Sequence, residues 1–175
     1  DYLGSLMKLD FELFCTLINQ ASSSERKRAH YNLHQTFEDP VQRLCIGLVK
    51  GTYIRPHYHT QAYKWEMIVG LQGLVGLVIF DDEGLIIDKL LIEPGISTAG
   101  IEMPPNTWHC IYPVSESAVV LEIKQGPYTP ARPTDFASWA PQEGDANVPH
   151  FLTWLEQATL GERYPVNHYS QASSG

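Results

Sequence analysis

Three histidines and one glutamate stand out in the sequence as metal-ligand candidates. His57 and His59 are two residues apart, and side chains at that spacing point to the same face of a β-strand. Glu66 follows after a short turn, and His109 lies in a later predicted strand. Imidazole nitrogen and carboxylate oxygen together suit Mn, Fe, Co, Ni, Cu or Zn. The pattern therefore predicts a four-ligand metal site of His57, His59, Glu66 and His109 inside a β-barrel.

Each of these histidines, taken singly, has an ordinary alternative on the surface or hydrogen-bonded in the core. The joint pattern favours the metal site, because it needs two histidines on one strand face, a carboxylate after a short turn and a third histidine after a proline-rich turn. The sequence does not single out the metal, the substrate or a general base.

The composition of the 175-residue chain indicates one domain with attached ends. Its formal net charge of -8 argues against binding to nucleic acid or to an anionic membrane surface. No apolar run approaches the roughly 20 residues of a membrane span. The three cysteines, Cys15, Cys45 and Cys110, are widely spaced and form no Cys-x-x-Cys motif. We therefore expect free thiols and a cytoplasmic protein.

Hydrophobic periodicity predicts a mainly β fold with a helix at each end. Asp10 can cap a helix over residues 10–20, and a second helix is expected over 148–160. Between them the period is two. The predicted strands are 42–49, 52–58, 65–71, 74–80, 85–92, 98–103, 107–112 and 117–124. Short strands at close intervals indicate an antiparallel sandwich or barrel, of which the jelly roll is one form.

This pattern divides the chain into three parts. Residues 1–40 form an N-terminal helix and extended arm, and residues 41–125 form the barrel. Residues 126–175 hold a proline- and aromatic-rich wrap, the C-terminal helix and a mobile tail over 170–175. Four prolines and three aromatic residues between Gly126 and Asp145 favour a packed wrap over a free loop.

Six further side chains are candidates for the pocket around the metal. Arg55 shares the strand face of His57, so its guanidinium could hold a carboxylate or phosphate, or form a salt bridge on the rim. The aromatic residues Trp65 and Tyr112 could stack on a sugar ring or belong to the core. Lys124 could line the mouth or be solvated. Asn32 and His34 could cover the pocket or fix the N-terminal segment.

Two motifs resemble those of the cupin superfamily. The first is Gly51-x5-His57-x-His59-x6-Glu66-x6-Gly73, with two or three extra residues before the glutamate. The second, Pro104-Pro-Asn106-Thr-Trp-His109, has Asn106 at the usual glycine, and asparagine tolerates the left-handed conformation. The resemblance implies a cupin-type double-stranded β-helix with the four ligands named above. The longer gap leaves Glu66 as a ligand or as a group that orients an imidazole.

Further motifs over residues 10–158 resemble the WbuC family of cupin-fold metalloproteins. They are Arg28-x-His-x-Asn32-Leu-His34, Asp39-Pro-Val-Gln-Arg43, Lys64-Trp-Glu66, Phe80-Asp-Asp82, Gly126-Pro-Tyr128 and Asp135-Phe-Ala-x-Trp139-Ala-Pro-x-Glu-Gly-Asp145. The resemblance implies one divalent transition metal per chain, such as Zn, Fe, Ni or Mn. It also implies a link to bacterial surface-polysaccharide synthesis.

The sequence supports two hypotheses about function. The first is metal-dependent chemistry on a sugar or sugar-nucleotide derivative, with a non-haem iron dioxygenase as a variant. The second is a non-catalytic sugar- or effector-binding module. In either case the partner is a small molecule. A homodimer is also expected, because cupin barrels usually pair and the strand 42–49 would offer an open edge.

Overall fold

Two antiparallel β-sheets face each other in the computed structural model, which describes residues 6–59, 61 and 63–165. Helix α1 spans Phe11–Ser22 and α2 spans Val148–Gln157. The strands are β1 (Arg28–Asn32), β2 (Val41–Val49), β3 (Glu66–Gln72), β4 (Val75–Phe80), β5 (Ile86–Ile92), β6 (Gly100–Met103), β7 (Trp108–Pro113) and β8 (Ser117–Gln125). Residues 1–5 and the expected mobile tail over 170–175 lie outside the described residues.

The five-stranded sheet has the order β1-β2-β8-β3-β6, and the three-stranded sheet has the order β5-β4-β7. Alternate residues of each strand point between the sheets and form an apolar core there. This core includes Leu44, Ile46, Leu48, Ile68, Leu77, Ile111 and Val120. The two sheets and the two terminal helices confirm the predicted jelly-roll fold with an N-terminal and a C-terminal helix.

Both helices lie close to their predicted residue ranges. The Asp10 side chain accepts a hydrogen bond from the backbone N–H of Leu13 at 3.0 Å, as expected of an N-cap. Helix α1 packs on the outer face of β2, where Gly47 allows a close approach. A Cβ atom at Gly47 would lie 2.9 Å from the backbone carbon and oxygen of Leu17. No helix in the described part of the chain is long and apolar enough to cross a membrane.

Two expectations about the strands are wrong. Residues 52–58 form no strand, and His57 makes only isolated bridges, to His109 and to Phe136. One reason is Pro56, which has no N–H to donate to a ladder. The expected open edge of 42–49 is also paired, because β1 joins β2 with Ala29 opposite Gly47. Residues 28–32, predicted as part of an extended arm, form strand β1.

The proline- and aromatic-rich segment packs against the three-stranded sheet. Ala137, Ala140 and, from α2, Phe151 are buried in a second apolar core. The Tyr53 hydroxyl donates to the carbonyl of Pro141 at 2.7 Å. These contacts, with the bridge from Phe136 to His57, place residues 133–137 across one end of the barrel. The division of the chain at residues 40 and 125 stays a prediction.

Candidate metal centre

His57 and His109 are held as a fixed pair at one end of the barrel. Their backbones exchange two hydrogen bonds, each of 3.1 Å. The Nδ1 atom of His57 lies 2.9 Å from the carbonyl oxygen of Arg55, and that of His109 lies 2.8 Å from the carbonyl oxygen of Thr107. A carbonyl oxygen only accepts, so each Nδ1 carries the proton. In the neutral rings both Nε2 atoms then carry free lone pairs, as metal-ligating histidines do.

Glu66 brings its carboxylate to these nitrogens from the start of β3. Its Oε2 atom lies 3.1 Å from Nε2 of His109 and 3.3 Å from Nε2 of His59. Ligand atoms of His57, Glu66 and His109 all lie within 4.8 Å of one another. His59 adds a third imidazole to the surroundings of this carboxylate.

The chemistry of this donor set fits a divalent cation. A neutral imidazole lone pair that faces a carboxylate oxygen is repelled unless a proton or a metal ion lies between them. Among the described residues, Nε2 of His59 and Oε2 of Glu66 are buried without a hydrogen-bond partner. Buried polar atoms without partners are rare in native proteins and call for an explanation. A transition metal shared by these nitrogen and oxygen atoms would satisfy them together.

The surroundings shift the pKa values of these groups in different directions. Burial, assisted by His109, lowers the pKa of His57 to about 3, so that this ring is neutral and able to bind a metal at physiological pH. Burial opposes protonation of His109 as well, but the Glu66 carboxylate outweighs it and raises the pKa. Burial would raise the pKa of Glu66, yet the neighbouring His109 and the carboxyl group of Glu122 hold it well below its usual value.

Glu122 is a site residue that the sequence analysis missed. It lies on β8 opposite Ile68 of β3, and its carboxyl group hydrogen-bonds that of Glu66. Burial and the Glu66 charge raise the pKa of Glu122 to about 8, against the opposing effect of Lys124. Lys124 Nζ lies 3.7 Å from Glu122 Oε1. The alternation Ala118-x-Val120-x-Glu122 contains the signal, because it places a carboxyl group on the inward face.

Two adjoining cavities give access to the centre. The inner cavity, of about 190 Å³, is lined by Glu66, His109 and Glu122 among others. The mouth cavity, of about 270 Å³, is lined by Arg55, Tyr58, His59, Lys64, Trp65 and Tyr128 among others. Arg28, Ile54, His57 and Lys124 line both. The candidate centre therefore faces a space that a small molecule can enter.

The structure brings some of the expected pocket residues to these cavities and not others. Arg55, Trp65 and Lys124 line the mouth, whereas Asn32, His34 and Tyr112 line neither cavity. Tyr112 follows inward-facing Ile111 in β7, so its side chain points to the opposite face and covers Gly76.

His34 and Asn32 lie outside the site because of their local contacts and positions. The ring of His34 is buried, and its Nδ1 atom accepts a hydrogen bond from the backbone N–H of Arg43 at 3.0 Å. The contact fixes the N-terminal segment to β2, which is the second of the two roles predicted for His34. Asn32 ends β1 at an exposed position. Lys64, which was not predicted as a site residue, also lines the mouth.

The comparisons with known proteins establish the fold. The family described as "Domain of unknown function (DUF6016)" matches residues 9–92. No curated protein matches the sequence. The TT1209 protein from Thermus thermophilus is 15% identical with a TM-score of 0.50, over 69% of this chain and 97% of that one.

Two further solved structures are similar. CapF, solved with the inhibitor 3-isopropenyl-tropolone, is 15% identical with a TM-score of 0.50, over 61% of this chain and only 30% of the CapF chain. A cupin superfamily protein from Desulfitobacterium hafniense DCB-2 is 18% identical with a TM-score of 0.45, over 60% and 85% of the two chains. At these identities the likeness concerns the fold alone. The chain has a jelly-roll fold in which His57, Glu66 and His109 are placed so that they could hold a metal ion.

Proposed function

We propose that the protein is a metal-dependent cupin that binds one divalent transition metal per chain and acts on a small molecule. His57, His59, Glu66 and His109 would hold the metal. The observation that carries the proposal is the convergence of lone pairs. The Nδ1 protons of His57 and His109 are both held by backbone carbonyls, so the Nε2 atoms are left free beside the Glu66 carboxylate.

The position of the centre supports a role beyond structure. A structural metal site is closed by protein ligands, whereas a catalytic or ligand-binding site keeps a position open to a cavity. Here His57 lines both cavities, and His59 retains 28% of its side-chain exposure. A bound metal would supply Lewis-acid chemistry that polarises a carbonyl or hydroxyl oxygen of the ligand.

The class of small molecule is proposed from the sequence motifs that resemble those of the WbuC family. We propose that the small molecule is a sugar or sugar-nucleotide derivative of surface-polysaccharide synthesis, handled in the cytoplasm. The aromatic side chains of Tyr58, Trp65 and Tyr128 at the mouth support a ring-shaped ligand, since sugar rings stack on aromatic faces.

The test is to load the metal-free protein separately with Zn, Fe(II), Ni and Mn and to follow a panel of sugars and sugar nucleotides by NMR. Metal-dependent conversion would support an enzyme, and oxygen consumption by the Fe(II) form alone would identify a dioxygenase. Saturable metal-dependent binding without conversion would indicate a non-catalytic binding module. Neither conversion nor metal-dependent binding would contradict the proposal.

We also propose a homodimer, but through a different strand edge from the one expected from the sequence. Strand β1 is one of the edge strands and pairs only with β2 in the described structure. Pairing of two β1 edges would cover it. Sedimentation showing a monomer at all concentrations would remove this part.

A further inference from the structure

We propose that the mouth cavity binds the oxyanion of a small acidic ligand, a carboxylate or a phosphate, on Arg55 and Lys64, while the rest of the ligand reaches the metal centre. Only the contact between the rest of the ligand and the metal centre rests on the proposed function. The oxyanion subsite itself depends on the Arg55 and Lys64 side chains, which are not metal ligands.

The distribution of charge points to an anion. The chain has 12 lysine and arginine residues against 20 aspartate and glutamate residues. Five of those cationic residues line the mouth cavity, and only two acidic residues do so. The cations are Arg26, Arg28, Arg55, Lys64 and Lys124, and the acids are Asp135 and Glu143. A concave site lined by one sign of charge concentrates ligands of the other sign.

Most of these charges already have partners. Glu143 accepts from Arg26 at 2.6 Å and from Arg28 at 3.4 Å. Asp135 accepts from the Arg132 backbone N–H at 2.8 Å. Lys124 pairs with Glu122. Arg55 and Lys64 are the cations of the mouth whose charge is left for a ligand.

Lys64 is a buried cation whose ammonium group is bonded to neutral groups, while Asp135 favours its charge from a longer distance. Only 7% of its surface is exposed. Its ammonium donates to the carbonyl of Pro127 at 3.0 Å and to the Thr129 hydroxyl at 2.8 Å. In the described part of the chain no carboxylate forms a salt bridge with it. Burial of an ammonium group is costly unless a counter-charge compensates it, and a ligand anion in the cavity would supply that charge.

Arg55 is a second cation of the mouth that contacts neutral groups, and these contacts hold its guanidinium in one orientation. Its Nε and Nη2 atoms donate to the carbonyl of Ala137 at 3.2 and 2.7 Å. The guanidinium carbon lies 5.6 Å from the centre of the Phe136 ring. None of the described carboxylates lies within salt-bridge distance of Arg55. The side chain is thus fixed by neutral groups with Nη1 donors remaining, which suits recognition of a planar or tetrahedral oxyanion.

The shared wall of the cavities connects this subsite with the centre. His57 lines the mouth beside Arg55 and also lines the inner cavity beside Glu66. A ligand with its acidic group on Arg55 can therefore extend past His57. This geometry favours a compact sugar acid or sugar phosphate over a neutral sugar.

The test uses the simplest probes, followed by NMR titration of the full chain in its zinc-loaded and metal-free forms. Acetate and inorganic phosphate represent the two oxyanions, and acetamide is the neutral match of acetate. The reporters are the Arg55 Nε–H and the Trp65 indole N–H. We expect saturable shifts for acetate or phosphate in both forms of the protein, and none for acetamide. Whichever of the two oxyanions binds more tightly identifies the acidic group.

Variants locate the binding. Arg55→Gln and Lys64→Met should each weaken oxyanion binding by about tenfold or more, because each removes a charge-assisted contact. The matched controls Arg163→Gln and Lys50→Met remove exposed charges elsewhere and should leave it unchanged. Lys64 also anchors the segment at Pro127, so Arg55→Gln decides the matter if Lys64→Met does not fold.

The outcomes separate this inference from the proposed function. Equal responses to acetate and acetamide, no response to either oxyanion, or full binding by Arg55→Gln would overturn the oxyanion subsite. Binding only in the zinc-loaded form and unaffected by Arg55→Gln would place the anion on the metal and would overturn it too. Arg55-dependent binding in a protein that retains no metal would support the subsite while the proposed metal-dependent function fails.

Discussion

Nε2 of His109 lies 3.1 Å from Oε2 of Glu66, while Nδ1 of the same ring faces the carbonyl oxygen of Thr107 at 2.8 Å. The backbone contact fixes the tautomer, so the nitrogen that faces the carboxylate is free to bind a cation. The two atoms are poised to share a proton or a metal ion. The response of the centre to metal and to pH depends on this pair and on its neighbours His57 and Glu122.

Glu66→Gln should weaken metal affinity by about a hundredfold or more, because the substitution removes the anionic ligand at the centre of the histidines. Glu122→Gln is the matched control. Its neutral amide can replace the protonated carboxyl group that hydrogen-bonds Glu66, so we expect a loss of less than about tenfold. Competition with a chelator measures both affinities, and equal losses would indicate that Glu66 orients a ligand and is not one itself.

Metal affinity should rise with pH through the neutral range, because binding must displace the proton that His109 holds. The pKa of His109 is raised, whereas His57, with a pKa of about 3, is already neutral. Calorimetry of zinc binding in two buffers of different ionisation enthalpy counts the protons released. Because the pKa of His109 is raised, proton release should be largest at acidic pH and should decrease toward alkaline pH. Release that is independent of pH would contradict this assignment.

The stability of the metal-free protein should decrease toward alkaline pH through Glu122. The pKa of Glu122 is raised from 4.5 to about 8 in the folded state, so folding favours the protonated form. Its contribution is complete below about pH 4.5 and is lost as pH rises through about 8. In the wild type, the free energy of unfolding in urea should be lower at about pH 9 than at about pH 6. This decrease should be on the order of 2 kcal/mol larger than the decrease in Glu122→Gln. The same pH dependence in both proteins would contradict the raised pKa.

Gly47→Ala should lower the free energy of unfolding by about 1–3 kcal/mol, because the added methyl group meets the backbone of Leu17 and must displace α1. Gln20→Ala, on the exposed side of the same helix, serves as the control and should change stability by less than about 0.5 kcal/mol. A Gly47→Ala protein as stable as the wild type would show that α1 is not packed tightly on β2.

The sequence was informative wherever a pattern is local. Period-two alternation located seven of the eight strands, and Asp10 marked the start of α1. Asn106 adopts a φ of 62°, the left-handed conformation expected of a residue at a usual glycine position. His57, His59 and Glu66 lie close together as their spacing predicted, although residues 52–58 do not form the expected strand.

What the sequence did not predict depends on contacts distant in the chain. The pairing of β1 with β2 could not be foreseen from residues 28–32, which carry no apolar alternation. Glu122 was missed because one carboxylate in a strand usually faces solvent, and only the position of β8 between β2 and β3 places it beside Glu66. Tyr112 was expected in the pocket because its aromatic ring suits a sugar, but the phase of β7 directs it to the other face.

The most direct test of the account is elemental analysis of protein purified without a metal-chelating column, with wild type beside His57→Ala. His150→Ala is the matched control, since it removes an exposed histidine of α2 that lines neither cavity. We predict close to one transition metal per chain in the wild type and the control, and loss of the metal in His57→Ala with the fold retained. No metal in any of the three after reconstitution with Zn, Fe(II), Ni or Mn, or full retention by His57→Ala, would contradict the metal centre.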